Sequence, residues 1–78
     1  MQLNIITRDK KVFEGTITSL TIPGSAGSFQ LLKDHAPIIS TLTSGKVVYV
    51  QDAVANELPI QQGILSAQDN QIIILAEV

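Results

Sequence analysis

Ile22-Pro23-Gly24-Ser25-Ala26-Gly27-Ser28-Phe29-Gln30-Leu31-Leu32-Lys33-Asp34-His35-Ala36-Pro37 holds two of the three prolines, two of the five glycines and the only histidine of the chain. The residues that force special backbone shapes are concentrated here. Pro23-Gly24 ends one strand, and Ser28 to Leu32 alternates with Phe29 and Leu31 on one face, which is the period of a second strand. Lys33 to Pro37 is a corner, because a residue before proline, here Ala36, is driven to an extended shape. Strand, tight loop, strand and corner in sixteen residues leave no room for a helix.

The same grammar continues on both sides. Upstream, Leu3 and Ile5 alternate with Gln2 and Asn4, Thr7 to Lys11 is a charged turn, and Val12-Phe13-Glu14 is a short strand stopped by Gly15. Thr16 to Ile22 is rich in β-branched residues. Its buried parity switches between Ile17 and the pair Leu20/Ile22, which predicts a β-bulge near Thr18-Ser19. Downstream, Ile38 to Thr43 and Lys46 to Gln51 read as strands around a Ser44-Gly45 turn, the second apolar on both faces and expected to be covered on both. Asp52 to Asn56 reads as a loop. Leu58 and Ile60 flank Pro59, which cannot donate to a ladder and marks an edge strand. Gln62-Gly63 reads as a turn, and Asp69-Asn70 as a two-residue hairpin connection. Ile72-Ile73-Ile74-Leu75 is an unbroken apolar run, expected to be a central, fully buried strand.

No window keeps a helical period, and short strands recur along the whole chain. The expectation is a single all-β domain over residues 1–78, a β-sandwich or flattened barrel of short, mostly antiparallel strands. At 78 residues the domain is small. It buries only about 60% of the surface its unfolded chain exposes, and such domains gain stability inside assemblies.

Several function classes drop out. A formal net charge of −2 gives no electrostatic case for nucleic acid or for an anionic membrane surface. With no cysteine and one histidine there is neither a disulfide framework nor an N/S metal site of the usual kind. The amino-terminal segment lacks the pattern of a signal peptide, and no apolar stretch approaches the ~18 residues that span a bilayer. Asp34 and His35 invite comparison with a hydrolytic triad, but adjacent residues on an extended chain point to opposite sides. A corner histidine bonded to nearby backbone is the simpler reading. Ile38-Ile39, Ile5-Ile6 and Val47 to Val50 carry more apolar side chains than one thin core needs. Either they form a surface patch for a partner, or bulges and edges turn them inward.

Pro23-Gly24, Gly27-x-Phe29, Leu32 and His35-Ala36-Pro37, in this order and spacing, resemble the epsilon subunit of F-type ATP synthase. The likeness extends to Leu3-x-Ile5-x-Thr7, Val12-Phe13-x-Gly15, Leu42-x-x-Gly45, Gly63-Ile64-Leu65 and Asn70-Gln71-Ile72. The resemblance implies a sandwich of about ten strands in two sheets, without cofactor, metal or catalytic residues. It implies a central-stalk subunit on the cytoplasmic face of the bacterial inner membrane, or the equivalent organelle compartment. The partners would be the gamma subunit and the c ring, with contact to the membrane only through that ring and no homo-oligomer in function.

By the same resemblance, Gly24, Ser25, Ala26, Gly27, Ser28, Phe29 and Gln30 face the c ring, and Thr7, His35 and Ser40 lie on or near the gamma-facing side. Three positions depart from the family pattern. Gln30 stands for a glycine, Lys33 for a common proline that would stiffen the corner, and Ser28 for a frequent acid. The family's carboxy-terminal helical hairpin has no counterpart after Val78, so the expectation is a subunit without that inhibitory arm. The alternative is a free-standing sandwich that binds a peptide or carbohydrate. It would need an aromatic groove from Phe13, Phe29 and Tyr49, the only aromatic residues.

Overall fold

A computed structural model describes residues 1–78. Nine strands account for nearly all of it: β1 Gln2–Thr7, β2 Lys11–Thr16, β3 Ser19–Gly24, β4 Gly27–Leu32, β5 Ile38–Leu42, β6 Gly45–Gln51, β7 Val54–Ile60, β8 Gln62–Gln68 and β9 Gln71–Glu77. They hydrogen-bond in the order β2-β1-β9-β8-β5-β3-β6-β7, with β4 on the other side of β3. Five strands, β2-β1-β9-β8-β5, form one layer and four, β4-β3-β6-β7, form the other. The two layers are stitched at a corner where Gly24 of β3 meets Leu42 of β5. Every pairing is antiparallel except β1 with β9, which brings the first and last strands side by side in parallel. The shortest dimension, 18 Å, is what two sheets about 10 Å apart require once their outer strands are included.

Alternation builds the core. β1 buries Leu3 and Ile5, β9 buries Ile72, Ile74 and Ala76, and β8 buries Leu65 and Ala67. The other layer answers with Leu20 and Ile22 of β3, Leu31 of β4, Val47 of β6 and Ile60 of β7. Together with Ile17 and Leu42 these make one cluster of 14 residues, and no polar side chain is buried in it. The small core is thus purely hydrophobic and non-directional in its driving force. Specificity comes from register.

Asp69 and Asn70 turn the β8–β9 hairpin with φ of 51° and 58°, as the sequence suggests. Pro59 sits in β7, which does close one end of the strand order. The parity switch marks a break between two strands instead of a bulge within one: β2 ends at Thr16, β3 starts at Ser19, and Thr18 N–H in the link donates to Val50 O at 2.9 Å. At the same point the chain changes layer. Thr16 to Ile22 is therefore the end of β2, a link through buried Ile17, and β3, rather than one strand.

Five other readings are corrected. β2 runs through Gly15 instead of stopping there, because a Cβ at Gly15 would lie 2.8 Å from Gln51 Nε2 and 3.0 Å from the Phe13 ring. Its glycine serves close approach, not a turn. Asp52 to Asn56 is no loop: Asp52 and Ala53 form a tight two-residue turn, both at positive φ, and Gln51 already pairs with Val54. Gly63 lies within β8 opposite Ala76, leaving the turn to Gln61. β9 is central, yet only alternate residues of its apolar run are buried. Ile73 is 46% and Leu75 49% exposed, because nothing in this chain covers the outer face of the five-stranded layer. Similarly, β6 buries Val47 fully but leaves Val48, Tyr49 and Val50 half-buried.

Candidate interaction surface

The β3–β4 hairpin turns through Ser25 and Ala26, with Gly27 at φ 133°. A Cβ on Gly24 would meet Gly27 O and the Phe29 ring, each at 2.7 Å, so the strands close tightly only with glycine there. Three hydrogen bonds pin the tip region to β5 and its exit: Ser25 N–H to Thr41 O at 3.0 Å, Thr43 N–H to Pro23 O at 2.8 Å, and Thr41 Oγ1 to Ser25 Oγ at 3.0 Å. Ser28 and Gln30 are exposed on the outer face of β4, whereas Phe29 packs against the core. The Gln30 side chain thus points away from the core.

At the other end of β4 lies the Lys33–Pro37 corner. Asp34 takes φ 64° and donates its N–H to Asn70 Oδ1 at 2.8 Å; Asn70 Nδ2 donates back to Asp34 Oδ1 at 3.0 Å. Asn70 O also accepts from Gln2 N–H at 2.8 Å. With Lys33 in place of proline, the corner is held by these bonds to the β8–β9 turn rather than by a rigid ring. His35 Nδ1 lies 3.1 Å from the adjacent Ala36 O. A carbonyl only accepts, so Nδ1 carries the proton and Nε2 is an acceptor, buried without a partner. Asp34 and His35 serve different neighbours and do not form an acid–base pair.

Thr7 caps its own turn: its N–H and Oγ1 both donate to Lys10 O, at 2.8 and 3.1 Å. Ser40 is half-buried, with Oγ donating to Thr41 O at 3.0 Å. These residues are not one cluster. Gln2 bonds the corner region and Thr7 lies five residues on along β1, which separates the His35 and Thr7 ends by about 16 Å at strand rise. Thr7 shares a shallow hollow of about 790 Å³ with Ser25 of the hairpin tip, next to Arg8 and Thr41. Ser40 shares a smaller one of about 380 Å³ with Gly24, Ser28 and Phe29, floored by Ile38. The hairpin tip therefore joins two of the three residues expected to face gamma, and His35 stands apart at the far end.

Of the two alternatives for the surplus apolar residues, the five-stranded layer shows the surface patch, with members from β8 and β9 that the sequence reading did not name. In the five-stranded layer, Ile73 pairs with Ser66, which pairs with Ile39; Leu75 pairs with Ile64 and Ile6. Ile39 (75% exposed), Ile64, Ile73 and Leu75 share the outward face. The adjacent isoleucine pairs signalled it: in each, one member is core (Ile5) or half-buried (Ile38) and the other faces outward. Of the aromatic residues, Phe13 and Tyr49 pack on each other, centroids 4.5 Å apart, whereas Phe29 lines the hollow beside Ser40 without them.

Two facing layers around a dry core, with a tight hairpin tip, a bonded corner and an exposed apolar outer face, define a β-sandwich domain. Residues 1–78 match the family described as ATP synthase, Delta/Epsilon chain, beta-sandwich domain. The chain is 38% identical to an ATP synthase epsilon chain of Chlorobium limicola, covering 97% of this chain and 88% of that protein. The corresponding chain of Chlorobaculum tepidum is 40% identical over 96% of this chain and 86% of its own. That of Trichlorobacter lovleyi is 34% identical, and this chain spans 56% of its length. The fold recurs, with a TM-score of 0.88 at 17% identity, in a chain of the Euglena gracilis mitochondrial ATP synthase (OSCP/F1/c-ring), covering 95% of this chain and 48% of that one. It recurs at 0.82 and 16% identity in the central stalk/c-ring structure from Tetrahymena thermophila, covering 100% and 63%. This chain belongs to the ATP synthase delta/epsilon β-sandwich family.

Proposed function

We propose that this chain is a non-catalytic central-stalk subunit of a rotary F-type ATP synthase. It packs on the gamma subunit and the c ring, so that ion-driven rotation is coupled to ATP synthesis on other subunits. The observation that carries this reading is end-to-end similarity, at 38% and 40% identity, to two epsilon chains that are themselves little longer. The Gly24–Gln30 hairpin is the element offered to the ring: a narrow tip whose position is held by bonds to β5. Thr7 and Ser40 flank that tip on the gamma side, with His35 at the other end of the same side. Exposed Ile39, Ile64, Ile73 and Leu75 favour a domain that works inside an assembly, since apolar patches mark partner-binding faces. The subunit then sits peripherally, on the cytoplasmic face of the bacterial inner membrane or its organelle equivalent, and reaches the bilayer only through the ring.

The test is reconstitution with purified gamma subunit and c ring, read by co-elution and mass. Stable one-to-one binding to gamma is expected. No binding at micromolar concentration rejects the reading.

A further inference from the structure

Pro23 O accepts Thr43 N–H, so the Pro23 backbone faces away from β4. Its register partner Ser28 therefore turns its own N–H and C=O outward, and by the antiparallel alternation so do Gln30 and Leu32. Three donors and three acceptors along β4 make no bond within the chain. Sandwich edges are normally blunted by charge or proline. The other outer strands follow that rule. β2 carries the Lys11–Glu14 ion pair (3.0 Å), and β7 carries Pro59 together with Glu57, which pairs with Lys46 at 3.4 Å. β4, Gly27-Ser28-Phe29-Gln30-Leu31-Leu32, has neither charge nor proline. Beside it opens the hollow of about 380 Å³, walled by Phe29 and by Ile38, Ile39 and Ser40 of β5.

We propose that β4 is a strand-addition site, at which an extended, uncharged segment of a partner polypeptide pairs with Ser28, Gln30 and Leu32. Only another backbone offers donors and acceptors at the matching spacing. Alternate side chains of the incoming strand drop into the hollow against Phe29 and Ile38, so those positions are apolar. The intervening positions share the polar outer face of Ser28 and Gln30. The proposal deepens the rotor reading and rests on it: the partner strand belongs to the gamma subunit, seated against the open backbone edge of β4 on the side that carries Ser40, while the side chains of the Gly24–Gln30 hairpin face the ring.

The experiment uses the full chain bound to purified gamma subunit and c ring, with amide exchange followed residue by residue. Protection of the Ser28, Gln30 and Leu32 amides is expected when gamma binds, at least 10-fold above both the free chain and the chain with c ring alone; equal protection by the c ring alone overturns the proposal. Leu32→Pro deletes an outward N–H that serves no bond in the free domain, and should weaken gamma binding at least 10-fold. Leu32→Ala retains the N–H and should weaken it less than 3-fold. Circular dichroism of the free variants checks that both fold. If gamma binds while these amides exchange as in the free chain, strand addition is overturned and the rotor reading stands. If gamma does not bind the unaltered chain, both fall. If the protection arises without gamma and depends on protein concentration, the edge pairs with a second copy, and the proposal is likewise overturned.

Discussion

Asp34 and Asn70 clasp each other across 36 positions of sequence, the first giving its N–H to the second's Oδ1 and taking back an Nδ2–H on its own carboxylate. Both sit at positive φ, where asparagine and aspartate are tolerated better than most residues. The clasp ties the corner after β4 to the β8–β9 turn. Removing the side chain but keeping the backbone shape, as in Asn70→Gly, isolates the two bonds. A loss of about 1 kcal/mol is expected, since exposed hydrogen bonds contribute modestly. Asn70→Ala should lose about 1 kcal/mol more through the left-handed conformation. Urea titration of the two variants reads both effects, and equal stability of both with the parent would show the clasp to be ornamental.

Neighbouring isoleucines on β9 should behave in opposite ways. Ile74 is fully buried, and Ile74→Ala should cost about 3 kcal/mol through lost burial and a residual cavity. That is enough to unfold much of a domain this small. Ile73 faces outward, and Ile73→Ser should change stability by less than about 0.5 kcal/mol while reducing self-association at high concentration. Thermal melts and light scattering separate the two.

Glycine substitutions distinguish crowding from backbone strain. At Gly24 a methyl group meets Gly27 O at 2.7 Å, and Gly24→Ala should destabilise by about 2 kcal/mol as strands are pushed apart. At Gly27 a Cβ meets nothing within 4 Å, but φ is 133°. Gly27→Ala is expected to cost about 1–3 kcal/mol purely as strain. Crystal structures of the variants would show the first with displaced β4 and the second with a changed turn and β4 in place.

His35→Phe removes the unpartnered Nε2 while keeping a flat ring of similar shape. Relief of a buried acceptor without a donor opposes the loss of the Nδ1–H bond to Ala36 O, so stability should stay within about 1 kcal/mol of the parent. A drop of more than that in the unfolding midpoint would mean that Nε2 has a partner in solution. The same variant tests the gamma-side assignment separately: weaker gamma binding with an intact fold supports a contact there.

Much of this molecule is written in short-range pattern. Period-two alternation predicts the all-β class, Pro59 the edge position of β7, and Asp69-Asn70 the last hairpin, because strand period, a missing N–H and turn chemistry act within a few residues. The parity switch at Ile17 to Leu20 is the mark of the break between β2 and β3, where the chain changes layer. Misreadings fall where a local sign serves a distant neighbour. Gly15 and Gly63 look like turns, yet each admits close approach of another strand. Asp52-Ala53 lacks a glycine and still turns tightly, since flanking β6 and β7 pair along their whole length.

The residues expected to meet partners were legible only through family likeness, and their arrangement came from long-range pairing. Ile22 to Pro37 by itself determines a loop, a strand and a corner. Only the tertiary structure decides that β4 carries the two to opposite ends of the sandwich, with Thr7 and Ser40 near one and His35 at the other. Likewise, the apolar run Ile72 to Leu75 dictates a strand in the middle of a sheet. Its outer half becomes a surface because β1 and β8 flank it and no third layer lies above. Alternation is a property of one chain segment, whereas coverage depends on what else packs there, and that information is spread over all nine strands.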